Sequence, residues 1–175
     1  AQSVVFHPAF YLKDPPQEVH AKVRDELKEV VKAMRDEDIN VTLRAETTGK
    51  ASQFGSLEET LRLSAEVEGV APCIDFAHLH ARESKSNTYK EFKSILEKVS
   101  DSLGDEALNN MHIHLSGIKY SSKGELSHLD LNESDMNYLE LFKVWKAFDI
   151  KGLVICESPS LETDALIMQK AYESL

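Results

Sequence analysis

The sequence predicts an α/β fold built from parallel βα units. Short apolar runs alternate along the chain with longer segments whose apolar residues recur at helical spacing, which is the pattern of such units. At 175 residues and 42% hydrophobic content, the chain has room for one domain with a substantial core. Charged residues interrupt every apolar run before it reaches the ~18 residues that a membrane span needs. We therefore expect a single soluble domain.

Five βα units can be traced in order along the chain. The predicted strands are rich in Val, Ile, Leu or Cys and run from Ser3 to His7, Asn40 to Glu46, Val70 to Phe76, Asn109 to Leu115 and Gly152 to Glu157. A helix is predicted after each strand, over about Pro16 to Asp36, Ser56 to Val67, Thr88 to Leu103, Ser134 to Phe148 and Leu161 to Ser174.

Two of these helices carry start signals, and one connection is unusually long. Ser56 is followed three residues later by Glu59, which is the spacing of a capping box. Ser134 stands just before the apolar positions of the fourth helix and is a candidate cap. The connection from Ser116 to Glu133 is polar and contains two glycines. Loops of this length inside a compact domain are usually functional or disordered.

Each predicted strand ends in a potential metal ligand. In chain order the candidates are His7, Glu46, Asp75 with His78 just beyond it, His112 or His114, and Glu157. The carboxyl ends of parallel barrel strands converge on one face, so these side chains should meet there. Because His112 and His114 are two apart on one strand they point to the same face, and His114, nearer the strand end, is favoured. His128, in the long connection, could close over this face.

The chemistry of these side chains favours a transition metal. Mixed imidazole and carboxylate ligation suits zinc, manganese or iron, whereas calcium and magnesium prefer oxygen ligands alone. The sequence therefore predicts one metal site at the carboxyl ends of the strands.

Four other candidate residues have simpler explanations. His20 lies within the first helix and is expected to be a solvated histidine. His80 is expected in a loop, where it either supports a ligand or is merely exposed. Cys73 and Cys156 lie in apolar strands and are expected to be buried, free cysteines. Two cysteines without a spaced framework fit a reducing, cytoplasmic setting.

The charge of the chain argues, taken alone, against a nucleic-acid partner. The chain has 30 acidic and 20 basic residues, for a net charge of −10, whereas nucleic-acid readers usually carry a basic face. Carboxylates that serve as metal ligands are neutralised by the metal, so the excess of acidic residues is a weaker argument against a nucleic-acid partner, although it still counts against one.

The strand-end motifs resemble those of the endonuclease IV family, in the same order and at similar intervals. The matching segments are Phe6-His7-Pro8 with Tyr11-Leu12, Ala45-Glu46-Thr47-Thr48-Gly49, Cys73-Ile74-Asp75-Phe76-Ala77-His78, His114-Leu115-Ser116 and Ile155-Cys156-Glu157. The resemblance implies a (β/α)8 TIM barrel of which about five C-terminal βα units are present. Residues 1 to 175 would then be the C-terminal part of a single barrel domain whose first three units are missing.

The resemblance also implies an activity. Endonuclease IV enzymes use a trinuclear zinc centre to cleave the backbone of damaged double-stranded DNA 5′ to an abasic site, in base excision repair. The implied zinc ligands, with manganese possible in place of zinc, are His7, Glu46, Asp75, His78, His114, His128 and Glu157. Glu46, as the carboxylate that bridges two zinc ions, is the implied catalytic residue, since it would orient the attacking hydroxide.

One position departs from the family pattern. The family places an aspartate two residues before the histidine that corresponds to His128, and here that position is Leu126, with Glu125 beside it. Either Glu125 supplies the carboxylate from a shifted loop, or the third metal is bound weakly or absent.

Two other functions are compatible with parts of the sequence. Sugar isomerases and epimerases of the xylose isomerase-like superfamily hold one divalent metal with a Glu, Asp, His, Glu set, which Glu46, Asp75, His114 and Glu157 would satisfy. The additional histidines, His7, His78 and His128, favour the nuclease because a single-metal sugar enzyme has no metal-binding use for them. A barrel that has lost part of its metal site and serves only as a binding module is the third hypothesis.

Overall fold

The computed structural model describes residues 1–175 and contains a curled, five-stranded parallel sheet that forms half of a barrel. Its strands, in spatial order, are β1 (Ser3–Phe6), β3 (Thr42–Glu46), β5 (Val70–Asp75), β6 (Met111–Leu115) and β9 (Gly152–Cys156). Every pair of neighbouring strands in this sheet is parallel. The predicted α/β fold with five parallel βα units is thereby confirmed.

Six α-helices and two antiparallel strand pairs surround this sheet. The helices are α1 (Pro16–Asp36), α2 (Leu57–Glu66), α3 (Phe76–Glu83), α4 (Tyr89–Leu103), α5 (Tyr138–Ala147) and α6 (Glu162–Glu173). The strand pairs are β2 (Ala9–Phe10) with β4 (Gln53–Phe54), and β7 (Gly117–Ser121) with β8 (Gly124–Leu129). None of the helices combines the length and the apolarity that a membrane crossing requires.

Strand alternation separates the apolar core from the polar interior of the half-barrel. On β6, Met111, Ile113 and Leu115 are buried in the main hydrophobic cluster, together with Phe92 of α4 and Trp145 of α5. The alternate residues of this strand point to the opposite face, which is the inside of the curled sheet. The same strand therefore builds the core with one face and presents histidines with the other.

The first two predicted helices are confirmed almost residue for residue. The range of α1 is the predicted one, and α2 begins with the expected capping box, in which the Ser56 hydroxyl accepts from Glu59 N and the Glu59 carboxylate accepts from Ser56 N. The predicted start of α5 at Ser134 is wrong. Asn137 caps this helix instead, because the Ser134 hydroxyl is engaged with Ile118 N of β7.

Two predicted loops contain regular structure. The first is α3, which follows β5 directly, so His78 and His80 lie on a helix and not in a loop. Residues 76–81 of this helix are all buried, so it lacks the amphipathic pattern by which a surface helix is recognised. The second is the connection from Ser116 to Glu133, which is largely the β7–β8 hairpin. The carboxylate of Asp75 caps α3 by accepting from His78 N at 2.7 Å.

The half-barrel leaves two sheet edges, β1 and β9, without a strand partner on one side. On β9, apolar side chains remain in contact with solvent, with Leu153 at 50%, Val154 at 41% and Ile155 at 36% exposure. A parallel sheet is normally covered on both faces, so these residues leave apolar surface of this edge strand uncovered.

Candidate metal centre

Four of the predicted ligands meet at the carboxyl ends of the strands. Glu46 ends β3, Asp75 ends β5, His114 lies on β6, and Glu157 directly follows β9. One ligating atom from each of these four side chains lies within 4.8 Å of the others. Residues from four different βα units thus converge, as expected for the carboxyl-terminal face of a parallel barrel.

Glu46 lies at the centre of this group and contacts three histidines. Its Oε1 is 3.0 Å from His114 Nδ1 and 3.4 Å from His78 Nδ1. Its Oε2 is 3.4 Å from His7 Nε2. The two carboxylate oxygens therefore face different histidines, which suits a carboxylate that is shared between two cations.

His114, and not His112, joins the ligand group. His114 Nδ1 lies between Glu46 Oε1 and Glu157 Oε1, the latter at 3.2 Å. His112 lies deeper in the half-barrel, where its Nδ1 is 3.4 Å from Ser3 Oγ. His114, the histidine nearer the strand end, is thus the one that lies beside Glu46 and Glu157. His112, His114 and buried Cys73 could themselves hold a cation, since their ligating atoms lie within 4.8 Å of one another.

Asp75 has an unsatisfied oxygen inside the site. The residue is fully buried, and while its Oδ1 accepts from His78 N, its Oδ2 makes no hydrogen bond and lies 3.4 Å from His78 Nδ1. Leaving a charged, buried oxygen without a hydrogen bond is costly, and a bound cation would remove that cost. This orphaned oxygen fits a metal-binding role for the cluster.

The β7–β8 hairpin brings His128 to the same face. His128 Nε2 is 3.2 Å from His78 Nε2, and the ligating atoms of Asp75, His78 and His128 lie within 4.8 Å of one another. All seven predicted ligands are therefore gathered at one end of the half-barrel. Glu125, whose Oε2 is 3.6 Å from His78 Nε2, belongs to the same region.

The carboxylates of this group stabilise positive charge on the neighbouring histidines. Burial alone would raise the pKa of Glu46, but hydrogen bonds with His114, His7 and His78 outweigh it and hold the pKa below its ordinary value. Burial alone would lower the pKa of His114, but contacts with Cys73, Glu157 and Glu46 raise it to about 12.

The neighbouring groups follow the same pattern. For His78, the nearby charge of Asp75 and the contact with Glu46 outweigh burial and raise the pKa to about 10. Burial raises the pKa of Asp75, whereas the hydrogen bond with His114 lowers that of Glu157. The negative charge of the carboxylates thus favours the protonated form of the histidines, and a divalent cation bound among them would compete with those protons.

Two histidines outside the group differ from expectation. His20 was expected to be solvated but is buried, because its Nε2 lies 2.9 Å from Glu66 Oε2 and its ring packs near Phe54. His80 is also buried, with Nδ1 2.6 Å from Lys85 O and Nε2 3.2 Å from Asp135 Oδ1. Both histidines have structural partners of their own and stand apart from the ligand group.

The sequence and the fold of this chain are similar to those of known barrel proteins. The sequence profile described as xylose isomerase-like TIM barrel matches residues 1–175. An uncharacterized protein of Methanocaldococcus jannaschii is 46% identical over 175 residues, which cover 99% of this chain and 64% of that protein. The chain therefore spans slightly less than two thirds of the length of this relative.

Solved structures agree in fold. Endonuclease IV from Thermus thermophilus matches with a TM-score of 0.62 and 18% identity, over 100% of this chain and 63% of that one. The 3-keto-D-glucoside 4-epimerase of E. coli matches with a TM-score of 0.61 and 14% identity, over 98% and 63%. D-psicose 3-epimerase of Clostridium cellulolyticum matches with a TM-score of 0.57 and 13% identity, over 89% and 49%. At these identities the similarity concerns the fold, and nucleases and sugar epimerases share it.

Proposed function

This chain belongs to the xylose isomerase-like TIM barrel family, and from that premise we propose that it carries the metal centre of a DNA phosphodiesterase. The proposed activity is hydrolysis of the backbone of damaged double-stranded DNA at abasic sites, as in endonuclease IV. The proposed metal is zinc, with two to three ions and manganese as a possible substitute. Mixed histidine and carboxylate ligation supports a metal of this kind.

The observation that carries this proposal is the presence of three histidines beyond the four-residue set. Glu46, Asp75, His114 and Glu157 alone would serve a single-metal sugar isomerase equally well. His7 lies 3.4 Å from Glu46, and His78 and His128 lie 3.2 Å from each other. These additional ligands favour a centre with more than one cation, which suits phosphodiester hydrolysis.

Glu46 is the proposed catalytic carboxylate. It is buried at the middle of the group, and its two oxygens face different histidines. Asp75, His114 and Glu157 hold the inner ligand positions, while His7 is the more exposed one, with 46% of its side chain accessible to solvent. Cations held here supply Lewis-acid charge to the phosphodiester and acidify water. The role of the protein is to fix the ligands in place before substrate binds.

The negative charge of the chain is compatible with a DNA partner at this face. Glu46, Asp75 and Glu157 contribute three of the 30 acidic residues, and Glu125 lies beside them. Cations bound in the group would reverse the local charge where a phosphate has to approach.

We also propose that residues 1–175 form the C-terminal part of a single barrel domain. The exposed apolar residues of the edge strand β9 support this, because a closed barrel has no free edges. We expect further polypeptide, or a second copy, to cover this edge. Light scattering on the purified 19.7 kDa chain tests the idea, and a stable, non-associating monomer would contradict it.

The direct test of function uses a DNA duplex with an abasic-site analogue. We expect the zinc-loaded protein to nick this duplex beside the analogue, and the Glu46→Gln variant to be inactive. Glu133→Gln, the same substitution at an exposed position, is the control and should retain activity. If the zinc-loaded, full-length protein leaves the duplex intact, the proposed function is wrong. A single bound metal together with epimerisation of a ketose would support the sugar-enzyme alternative instead.

A further inference from the structure

A cysteine and two histidines meet inside the half-barrel, next to the carboxylate group of the candidate metal centre. One ligating atom each from Cys73, His112 and His114 lies within 4.8 Å of the others. These three residues, the deep triad, are all buried: Cys73 is fully covered, whereas His112 and His114 are 7% and 6% exposed. A cation would therefore reach the sulfur only past the two histidines.

Strand register places the deep triad one level below the carboxylates. The strands β5 and β6 are parallel neighbours in which Asp75 pairs with His114. Cys73 and His112 lie two residues before Asp75 and His114, so their side chains point to the same inner face, ~6.6 Å further from the strand ends. His114 belongs to both levels, because it contacts the carboxylates above and completes the triad below.

The imidazole of His112 lacks a strong hydrogen-bond partner. Its Nδ1 lies 3.4 Å from Ser3 Oγ, beyond the usual range of a hydrogen bond. His80, a buried histidine with a structural role, has its two ring nitrogens 2.6 and 3.2 Å from oxygen acceptors. Burying a polar ring without such partners costs free energy, and a cation bound by the ring would offset that cost.

The donor atoms of the deep triad differ from those of the carboxylate group. Thiolate sulfur and imidazole nitrogen are ligands that zinc and copper(I) accept, whereas calcium and magnesium require oxygen. The triad contains no carboxylate, so its selectivity for a thiophilic metal should be sharper than that of the group above it.

A buried guanidinium beside the triad determines which form of the cysteine can bind a cation. Arg44 donates to neutral oxygens of Pro72 and Asn110 and interacts electrostatically with Cys73 and His112. Its positive charge opposes a second cation nearby unless a negative group lies between them. The thiolate of Cys73 supplies that negative charge, and the thiol proton passes to solvent as the sulfur binds the metal.

We propose that Cys73, His112 and His114 bind a thiophilic transition-metal ion of the zinc class at a thiolate site below the candidate metal centre. This site goes beyond the proposed function, since it contains none of the carboxylates and shares only His114 with them. One imidazole ring has two nitrogens and can contribute to both levels. An ion held here would tie β5 to β6 and fix the ring of His114.

Titration of the metal-free protein with cobalt(II) tests this site, because a cobalt–thiolate bond gives an intense charge-transfer band in the near ultraviolet. We expect the band in wild type, its disappearance when zinc displaces the cobalt, and its absence in Cys73→Ser. The matched control is Cys156→Ser, since this second free cysteine lies on β9 outside the triad and its replacement should leave the band unchanged. Thermal unfolding in EDTA checks that each variant is folded.

A second variant removes a ligand without changing the sulfur. His112→Gln should weaken cobalt binding at least about tenfold, as measured by the concentration dependence of the band. The proposal is wrong if folded wild type shows no band at saturating cobalt, or if the band survives in Cys73→Ser or disappears in Cys156→Ser. If Cys73→Ser does not fold, wild-type cobalt affinity in His112→Gln overturns the proposal by itself.

Glu46→Gln separates the thiolate site from the proposed function. This variant should keep the cobalt–thiolate band, because Glu46 is not part of the deep triad, but it should not nick abasic DNA. If wild type shows the Cys73-dependent band and leaves abasic DNA intact, the thiolate site stands and the proposed function fails. Nicking by a wild-type protein that shows no band supports the proposed function and overturns the thiolate site.

Discussion

Removing the charge of Glu46 and removing that of Asp75 should have opposite effects on the stability of the metal-free protein. Both carboxylates are buried and both are proposed ligands, so Glu46→Gln and Asp75→Asn should each impair metal binding. Their surroundings without metal differ, however. Glu46 contacts three histidines, whereas Asp75 Oδ2 makes no hydrogen bond and contacts His78 alone, at 3.4 Å from Nδ1.

Glu46→Gln should destabilise the metal-free fold. The substitution leaves the partner histidines beside a neutral amide, and removing one member of a buried ion pair costs about 3–5 kcal/mol. For a chain of this size that corresponds to a fall in Tm of roughly 6–20 °C. Because the folded pKa of Glu46 lies below its unfolded value, this stabilisation is fully present near neutral pH and is lost as the pH falls through the folded value.

Asp75→Asn should stabilise the metal-free fold. Asparagine keeps the acceptor for His78 N and replaces the unpartnered oxygen with a donor, near the carboxylates of Glu46 and Glu157. Relief of one unsatisfied buried group is worth about 1–3 kcal/mol, or roughly 2–12 °C in Tm. Since burial raises the folded pKa of Asp75, the penalty in the native protein is present above that pKa and disappears as the pH falls through it.

Differential scanning calorimetry in EDTA near neutral pH measures both effects, with Glu133→Gln as an exposed control that should leave Tm unchanged. Zinc should then raise the Tm of wild type more than that of either variant. A rise in Tm for Glu46→Gln, or a fall of several degrees for Asp75→Asn, would refute this account of the site.

Two further predictions concern the loop after β3 and the protonation of the ligands. Arg82 donates hydrogen bonds to Thr48 O, Thr48 Oγ1, Lys50 O and Gln53 O. Arg82→Lys should therefore lower the free energy of unfolding, measured in urea, by about 2–3 kcal/mol. The control Arg62→Lys, at an exposed position, should change it little. Zinc binding should release protons and strengthen as the pH rises through neutrality, because the raised pKa values of His78 and His114 leave both protonated without metal. Calorimetric titration in two buffers of different ionisation enthalpy measures this release, and identical heats in both buffers would contradict it.

The parts of the fold that could be predicted from sequence are those with a local pattern. The apolar runs located all five strands, and the Ser56–Glu59 capping box located the start of α2. Helix α3 was not predicted because it is buried on all sides and lacks the polar face of an amphipathic helix. The hairpin β7–β8 was not predicted because Leu126 and Ser127 interrupt the alternation of apolar and polar residues that marks a strand. Its strands also pair with an irregular register near Tyr120.

The residues of the candidate site also divide into those that a local pattern predicts and those that it does not. Ligands at strand ends were predictable, since parallel topology alone brings Glu46, Asp75 and Glu157 to one face. The burial of His20 was not, because Glu66, its partner, lies on the next helix. Contacts between residues far apart in sequence are not encoded in any local pattern.

The sequence by itself determined the α/β class, the strands in chain order and the candidate ligands at their ends, because side-chain periodicity and the alternation of strands with helices are local patterns of the chain. Only the tertiary structure decided that His128, from the β7–β8 hairpin, meets His78 and Asp75 at the same face. Gly49 and Gly124 come from separate βα units, and their backbones approach closely enough to dock the hairpin on the loop after β3, while His128 of the same hairpin lies 3.2 Å from His78. Packing between distant segments thus placed His128 in the candidate metal centre, whereas the parallel βα topology was sufficient to bring Glu46, Asp75 and Glu157 together.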